Sequence, residues 1–368
     1  MRILYFSRIY SNHDRRFLST LVESGHEVAF LQLERKSAAL ERRPMPETVE
    51  AYSLEADGVA DGLDKLAHLK NILVDIKPDI VQAGPVTTCG FLIATLDFHP
   101  FVAMSWGYDL LVDANVDAQQ GDRARFALTR ADLAICDCET VRRRLQSLVS
   151  FPADKIVQLP FGTDVATFRP RAEPGDAIRE KLGWNHETIV VSVRKWEKLY
   201  DVDVLITAFA LAHRNDTALR LLLLGDGSMA PELRDLIAEY GIQDAVAPVG
   251  HVSHDLLPAY LQASDIYMSC SKCDGTSVSL LEAMATGLPV LVTDTDSNRE
   301  WVIPDVNGRL GETGNTEDFA RQLNHLASAP RAELERMAKS NRRVAERRAN
   351  WEKNVQGLLQ AYAKLQVP

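Results

Sequence analysis

The sequence predicts an α/β protein built from two doubly wound parallel sheets, and three observations support this prediction. The chain has 368 residues, whereas single cores stop growing at roughly 250 to 300 residues, so two domains are expected. Short apolar runs alternate with helix-length segments in both halves of the chain. A stretch rich in proline, glycine and charge separates the two series and carries no apolar period.

In the first half, apolar runs that predict strands follow one another at helix-length intervals. They read RILYFS, HEVAFLQL, DIVQAG, PFVAMSW, DLAICD and KIVQLP. Gly25 stands just before the second run, where the C-cap of a helix is expected. Strands joined by helical crossovers in this way form parallel sheets.

The second half repeats the pattern with the runs TIVVSV, LRLLLLG, VAPVG, IYMSC and PVLVT. Two of them are nearly all apolar, which suits strands that are buried on both faces. We predict a first domain over residues 1–162, a linker over 163–177, a second domain over 178–340 and a helical tail over 341–368. The tail is expected to pack back across the linker.

Composition narrows the class of protein. A formal net charge of −10 and a pI near 5.5 argue against a nucleic-acid binder that neutralises phosphates. The N-terminus lacks the apolar region of a signal peptide, and no run reaches the ~18 apolar residues of a membrane span. We expect a cytoplasmic protein. Arginine clusters at residues 142–144 and 342–348 are either solvated helix faces or a weak peripheral contact with the inner membrane face.

Two short patterns are weak signals for metal or cofactor binding. Cys270 and Cys273 have the C-x-x-C spacing, but no second pair of matching spacing lies near them in sequence, as structural zinc requires. Gly225 and Gly227 give half of a dinucleotide fingerprint without its third glycine, which disfavours a nicotinamide dehydrogenase. We expect no metal and no cofactor.

The most informative segment is DGTSVSLLEAMATGLPVLV, which begins at Asp274. A helix that starts after its small polar residues would present unpaired N–H groups and the positive end of its dipole to a phosphate. Glu282 follows Asp274 by eight residues, a separation of roughly 12 Å along a helix. This can span a pyrophosphate, with one carboxylate near a sugar and the other near a ribose. The alternative is an Asp-Gly turn before a helix whose glutamate faces solvent.

Arg194 and Lys198 directly follow the run TIVVSV. Ligands of open α/β sheets bind at the carboxyl ends of the strands, so two cations at this position match a diphosphate. Plain surface charge is the alternative.

In their order and spacing, these motifs resemble those of retaining glycosyltransferases of family 4. The likeness runs through almost the whole chain and includes RADLAICDCETVRRRL, QLPFGTDVATFRP and LLLLGDGSMAPELRDLIAEYGIQDAVAPVGHV. The resemblance implies the GT-B fold, with two facing Rossmann-like domains and a cleft between them. It also implies transfer of a hexosyl group from a UDP- or GDP-sugar to an acceptor hydroxyl, in glycan, glycolipid or polysaccharide synthesis. Because Arg194, Lys198 and the helix start can carry the diphosphate charge, we expect the reaction to need no metal.

The resemblance implies a sugar-donor site formed by Arg194, Lys198, His251, Val252, Asp274, Gly275, Thr276, Ser277, Glu282, Asn298 and Glu300. In it, Arg194 and Lys198 bind the diphosphate and Glu282 binds the ribose. The histidine and valine lie near the base, and Asn298 to Glu300 border the sugar. Asp274 lies beside the sugar where the family usually has glutamate, which is longer by one methylene.

The acceptor side departs from the family pattern at two places. A glycine pair in the first loop is replaced by SNHDRR, so Arg15 or Arg16 would supply charge or His13 would face the acceptor. A histidine near the reacting sugar is replaced by SWGYD, in which Trp106 is either a stacking platform or a core residue and Asp109 would bind acceptor hydroxyls. Lipid-linked sugars, polysaccharide ends and small metabolites are all candidate acceptors.

Several functional alternatives remain at this point. Front-face displacement is the first choice of mechanism, and covalent catalysis by Asp274 is the second. Asp294 and Asp296 form the D-x-D pattern of metal-dependent glycosyltransferases of another fold. Other GT-B enzymes, such as a sugar-nucleotide epimerase or a phosphorylase, and a non-catalytic nucleotide-sugar-binding subunit are the rival functions.

Overall fold

The computed structural model describes residues 1–35, 41, 43–55, 63–170 and 177–365. The chain divides into two compact units. The first comprises Met1–Leu159 together with the segment from Val355 onward, and the second is Pro160–Asn354.

The described residues of the first unit form a parallel sheet with helices. Its strands are β1 (Arg2–Ser7), β2 (Glu27–Gln32), β3 (Glu50–Ser53), β4 (Ile80–Ala83), β5 (Phe101–Met104), β6 (Leu133–Cys136) and β7 (Ile156–Gln158). Its helices are α1 (Asn12–Glu23), α2 (Leu63–Ile76), α3 (Phe91–Thr95), α4 (Ala114–Val116), α5 (Ala118–Arg130) and α6 (Glu139–Leu148). The strand order is β3-β2-β1-β4-β5-β6-β7, and every pair is parallel.

The second unit contains another parallel sheet. Its strands are β8 (Thr188–Ser192), β9 (Leu219–Leu224), β10 (Val246–Gly250), β11 (Ile266–Ser269), β12 (Val290–Thr293) and β13 (Gly308–Gly311), in the order β10-β9-β8-β11-β12-β13. Its helices are α7 (Ala177–Leu182), α8 (Val202–Asn215), α9 (Ala230–Glu239), α10 (Leu257–Gln262), α11 (Val278–Thr286), α12 (Asp296–Arg299), α13 (Thr316–Ala327) and α14 (Arg331–Arg348). The last helix, α15 (Trp351–Leu365), begins in this unit and ends in the first.

Each sheet has a point at which the strand order reverses. In the first sheet it lies between β1 and β4, and in the second between β8 and β11. Ligands of open α/β sheets bind outside the carboxyl ends of the strands at such points.

The second sheet is buried on both faces. Val190 of β8 and Met268 of β11 belong to one apolar core, whereas Val191 and Tyr267 belong to another. Successive side chains of a strand point to opposite faces, so both faces are covered. This explains why the strands of the second half read as almost continuous apolar runs.

The α/β class predicted from the sequence is confirmed, and the structure adds two strands that the sequence analysis did not predict. Both β3 and β13 are edge strands of four residues, and their sequences EAYS and GRLG contain no apolar run.

Residues 163–170 and 341–354, which we assigned to the linker and the tail, lie in the second unit. There Asn341 donates to the carbonyls of Leu288 and Asn307, at 2.7 Å each. Within the described residues, no helix is both long enough and apolar enough to cross a bilayer.

Candidate active site

Two loops that carry predicted site residues follow the strands on either side of the switch in the second sheet. The loop after β8 carries Arg194, and the loop after β11 carries Asp274. The two strands are paired in parallel, with Tyr267 opposite Val191. Because carboxyl ends of parallel neighbours meet at one edge of the sheet, the fold brings the two charged side chains together.

Arg194 is the centre of a buried hydrogen-bonded cluster. Its Nη2 donates to both carboxylate oxygens of Asp274, at 2.9 Å each. Its Nη1 donates to the hydroxyls of Ser277 at 2.7 Å and Ser279 at 3.0 Å. The guanidinium carbon lies 4.3 Å from the ring centroid of Tyr200, in a cation–π contact. The arginine side chain is only 9% exposed, so these contacts replace its hydration.

Burial and charge have opposite effects in this ion pair. Burial lowers the pKa of Arg194, but the Asp274 carboxylate and two neighbouring tyrosines raise it, and the net pKa lies above the ordinary value. Burial raises the pKa of Asp274, and the guanidinium only partly offsets that effect. Arg194 therefore stays a cation, and its charge is directed at the start of α11.

Helix α11 begins within the same cluster. Ser277 is its N-cap and accepts a hydrogen bond from the Leu280 amide at 3.5 Å, and Gly275 and Thr276 are buried in the preceding turn. The first amides of a helix have no intrahelical acceptor and carry partial positive charge. A helix thus starts where the sequence predicts one, with the arginine beside it, and anion binding there stays a prediction.

Glu282 lies on the second turn of α11 and is 3% exposed. Its Oε1 lies 3.1 Å from Nε2 of His254, in the segment before α10. The sequence left two alternatives for this glutamate, a ligand-binding group or a helix residue that faces solvent. Because the side chain is buried, the solvent-facing alternative is disfavoured.

Lys198 lies apart from the hydrogen-bonded cluster. It begins a 3-10 turn, Lys198–Tyr200, and its side chain is exposed. Lys272 Nζ lies 2.6 Å from Asp201 Oδ1 and its backbone amide donates to the Leu199 carbonyl at 3.1 Å, which ties this turn to the loop after β11. The exposed ammonium remains accessible to a ligand.

Gly225 and Gly227 support the Arg194 loop. A Cβ added to Gly225, which has φ +131°, would lie 2.2 Å from the Arg194 carbonyl oxygen. A Cβ on Gly227 would lie 2.3 Å from the Trp196 carbonyl oxygen. The two glycines thus let the loop after β9 pack backbone against backbone on the loop after β8, at a distance that a side chain would not allow.

The remaining residues predicted for the sugar-donor site divide into exposed and internal ones. His251 is exposed after β10, and Val252 packs against the core. Asn298 is 7% exposed and donates to the Thr293 carbonyl at 2.8 Å, so this amide braces its loop. Glu300 accepts from Arg348 through its backbone carbonyl, at 2.7 Å.

The D-x-D and C-x-x-C patterns are poorly suited to binding a metal, the first because of an ion pair and the second because of a buried thiol. Asp294 forms a two-point ion pair with Arg299, at 2.5 and 2.8 Å, and Asp296 is exposed on the first turn of α12. Cys270 is buried, which raises the pKa of its thiol and opposes the thiolate that zinc requires, and Cys273 is partly exposed.

A different cluster, absent from the sequence analysis, lies on the same unit. Ligand atoms of Asp305, His325 and Glu333 fall within 4.8 Å of one another. Asp305 pairs with Arg309, and Glu333 lies 3.8 Å from Arg336. The two guanidiniums compensate the carboxylates and oppose a further cation.

In the first unit, His13 and Trp106 are neighbours. Their ring centroids lie 5.4 Å apart, and both residues are partly exposed. Arg15 and Arg16 are also partly exposed on α1, and Arg15 Nε donates to the Pro44 carbonyl at 3.2 Å. The alternative that Trp106 is a core residue is disfavoured by this exposure.

Asp109 does not have the solvent-facing position expected of an acceptor-binding residue. It is 1% exposed, and Oδ2 accepts from the Val86 amide at 2.7 Å. Oδ1 accepts from the Ser105 hydroxyl at 2.8 Å and the Trp106 amide at 2.9 Å. The carboxylate therefore organises the loop that holds Trp106, which corrects the expectation that it binds acceptor hydroxyls directly.

Three contributors to the site were missed by sequence reasoning: His254, Tyr200 and Ser279. His254 contacts Glu282 and Ser279 contacts Arg194, in each case across segments that are distant in sequence, whereas Tyr200 contacts Arg194 within the same loop. Only Ser279 carried a usable signal, because it lies two residues after the N-cap serine on the segment already singled out.

Comparison with known proteins agrees with the fold and the motifs. The family model for glycosyl transferases group 1 matches residues 175–345, and the glycosyl transferase 4-like model matches residues 2–138. The Anabaena HepE structure in complex with UDP-glucose superposes with a TM-score of 0.82 at 19% identity, covering 99% of this chain and 100% of that one. The fold of the chain is thus GT-B, as predicted.

Relatives that are similar in sequence include a kanosaminyltransferase and a D-inositol 3-phosphate glycosyltransferase. Alpha-D-kanosaminyltransferase from Streptomyces kanamyceticus is 24% identical over 221 residues, 59% of this chain and 56% of the relative. D-inositol 3-phosphate glycosyltransferase from Nocardia farcinica is 31% identical over 247 residues, 64% of this chain and 53% of the relative. The matches span only slightly more than half the length of these relatives. The two family models together match residues 2–138 and 175–345, and on that basis the chain belongs to the glycosyltransferases that they describe, group 1 and 4-like.

Proposed function

We propose that the protein transfers a sugar from a nucleoside diphosphate sugar to the hydroxyl of an acceptor, with retention of configuration. The observation that carries the proposal is the cluster of Arg194, Asp274 and Ser277 at the start of α11, beside the switch point of the second sheet. It combines a buried cation, a helix start and a carboxylate, which together suit a diphosphate joined to a sugar.

In this proposal the diphosphate is held by the first amides of α11 together with Arg194 and Lys198. Charge-assisted hydrogen bonds contribute roughly 1.5 to 3 kcal/mol each, so a few of them supply much of the affinity. The same groups stabilise the negative charge that develops on the leaving diphosphate. They supply the positive charge that a divalent metal provides in other transferases, so we propose a metal-independent reaction.

The chemistry requires one bond to form and one to break at the anomeric carbon. The acceptor oxygen attacks that carbon, and the bond to the diphosphate oxygen breaks with its electron pair leaving on the diphosphate. The leaving phosphate oxygen takes the acceptor proton. Attack on the face that the diphosphate leaves retains configuration.

The ion pair favours this front-face reaction over covalent catalysis by Asp274. A nucleophilic carboxylate needs an available oxygen, whereas both oxygens of Asp274 accept hydrogen bonds from Arg194. We therefore propose that Asp274 orients the donor sugar and the arginine, and that the leaving group acts as the base.

The comparisons support the choice of substrate class. HepE has been crystallised with UDP-glucose, and the two relatives are named for the transfer of kanosamine and for an inositol phosphate acceptor. We propose a UDP- or GDP-sugar as donor. A sugar or polyol hydroxyl, either free or at the end of a glycan or lipid-linked chain, is the proposed acceptor, and His13 and Trp106 are the first candidates to contact it.

Product analysis tests this function. UDP-glucose and GDP-mannose are each incubated with the protein, with and without inositol 3-phosphate or methyl glucoside, and products are resolved by mass spectrometry. Release of the nucleoside diphosphate and a new glycoside only when acceptor is present is the expected result. An isomerised sugar nucleotide or a sugar phosphate formed without the alcohol would identify an epimerase or a phosphorylase instead.

A further inference from the structure

We propose that His254 is a positioning residue that fixes the Glu282 carboxylate for the ribose of the sugar donor. The inference rests on the proposed function and adds to it a residue that nothing in the motif pattern points to. His254 Nε2 and Glu282 Oε1 are 3.1 Å apart, across 28 residues of sequence.

The direction of the hydrogen bond follows from the chemistry of the two groups. An ionised carboxylate can only accept, so the proton lies on Nε2 of the imidazole and is donated to Oε1. The histidine side chain is 18% exposed and the glutamate side chain 4% exposed, so the contact is shielded from water. A shielded hydrogen bond of a charged acceptor orients that acceptor more strongly than an exposed one.

The imidazole is itself held in place. Its ring packs edge-on against Phe168, with centroids 5.1 Å apart and an interplanar angle of 66°. Phe168 is fully buried, and its carbonyl accepts from Arg342 at 2.7 Å. The histidine is therefore oriented by a rigid neighbour and can in turn orient the carboxylate.

The contact leaves one carboxylate oxygen of Glu282 available. Over the described parts of the chain, Oε1 is the oxygen that bonds to a protein side chain, and Oε2 accepts no protein hydrogen bond. A ribose presents two vicinal hydroxyls as donors. With Oε1 held by His254, the Oε2 atom can accept a ribose hydroxyl without reorganisation of the side chain, which is a form of preorganisation.

Binding of two kinds of nucleotide separates this role from a merely structural one. The affinities of UDP and GDP, and of their 2′,3′-dideoxy analogues, are measured by calorimetry for wild type, His254→Leu and His254→Gln. His325→Leu, a change at an exposed histidine on α13, serves as the matched control. Thermal unfolding of each variant establishes that it is folded.

We expect His254→Leu to weaken binding of the ribose nucleotide that wild type prefers by about tenfold. Its affinity for the dideoxy analogue should stay within about twofold of wild type. Glutamine, which places an N–H donor near the position of Nε2, should restore most of the lost affinity. The control variant should match wild type for both nucleotides.

Two results would overturn the inference while leaving the proposed function in place. One is wild-type affinity of His254→Leu for the ribose nucleotide. The other is an equal loss for ribose and dideoxy forms, which would show that the histidine supports the fold of the site and does not act through the ribose. Failure of wild type to bind UDP or GDP would instead remove the proposed function and this inference together.

Discussion

Arg194 and Asp274 form a two-point ion pair at the start of α11, with Nη2 2.9 Å from each carboxylate oxygen. Arg194, which is proposed to bind the diphosphate, thus already has its positive charge balanced by Asp274, which is proposed to orient the sugar. A diphosphate that reaches this arginine competes with the carboxylate for its donors. Binding of the diphosphate is therefore coupled to the position of the Asp274 carboxylate.

This coupling gives opposite effects on binding and turnover for Asp274→Asn. Loss of the negative charge leaves Arg194 uncompensated, so the affinity for a free nucleoside diphosphate should stay equal or rise by up to about tenfold. Turnover should fall by about a hundredfold, because the sugar is no longer oriented. Calorimetry and initial rates test both, with the exposed Asp296→Asn as control. Weaker diphosphate binding in the Asp274 variant would contradict the coupling.

Gly225 is expected to be intolerant of a side chain. In Gly225→Ala the new Cβ would lie 2.2 Å from the Arg194 carbonyl oxygen, so the backbone that presents the arginine must move. We expect a loss of unfolding free energy of about 2 kcal/mol or more, and about tenfold weaker nucleotide binding.

The matched control for that substitution is Gly241→Ala. Gly241 also has a positive φ, +66°, but a Cβ there meets nothing within 4 Å. In this variant the unfolding free energy should fall by only about 1 kcal/mol, the cost of a left-handed conformation for alanine, and nucleotide affinity should be unchanged. Equal loss of nucleotide affinity in both variants would show that the close approach of Gly225 to the Arg194 loop is not what matters.

The buried Asp109 predicts a specific pH dependence of stability. Burial raises its pKa to about 6 from 3.8, although hydrogen bonds from Val86, Ser105 and Trp106 lower it. The folded state then binds the proton more tightly than the unfolded state. Stability from this group is fully present below about pH 4 and is lost as the pH rises through about 6.

Asp109→Asn removes that titration. The unfolding free energy of wild type minus that of the variant should fall by up to about 3 kcal/mol as the pH rises from about 4 to about 7. Urea titrations at several pH values measure this difference, and the exposed Asp75→Asn controls for a general charge effect. A difference that increases with pH would mean that the carboxylate is stabilised in its charged form.

Chelation separates the proposed reaction from one that depends on the D-x-D pattern. Asp294 is occupied by Arg299, so we expect activity to persist in EDTA and Asp294→Asn to turn over within about twofold of wild type. Initial rates with and without chelator measure this. Complete loss in EDTA that manganese restores would favour the metal-dependent alternative.

Much of the fold could be predicted because buried parallel strands leave a direct mark on the sequence. Runs such as LRLLLLG are apolar throughout since both faces of β9 are covered, whereas the edge strands β3 and β13 carry no such run and were missed. The loops after β8 and β11 were found for the same reason, since their position follows from the strands that precede them.

Details of the site were harder to predict because they depend on contacts between distant segments. The charge of Asp109 suggested a ligand, but the distant Val86 amide and two donors from its own loop, Ser105 and Trp106, satisfy the buried carboxylate. His254 lies 28 residues from Glu282, and no spacing rule connects them. Whether a polar residue faces a ligand or the interior is decided by packing, which a linear pattern does not encode.

The most direct test of the central proposal is a thermal-shift panel of UDP, GDP and ADP and their sugars, run on wild type and Arg194→Ala. The proposed sugar-donor site predicts that one nucleotide family selectively raises the unfolding temperature of wild type and that the variant loses this stabilisation. Absence of stabilisation by every nucleotide, or equal stabilisation of both proteins, would contradict a diphosphate site at Arg194.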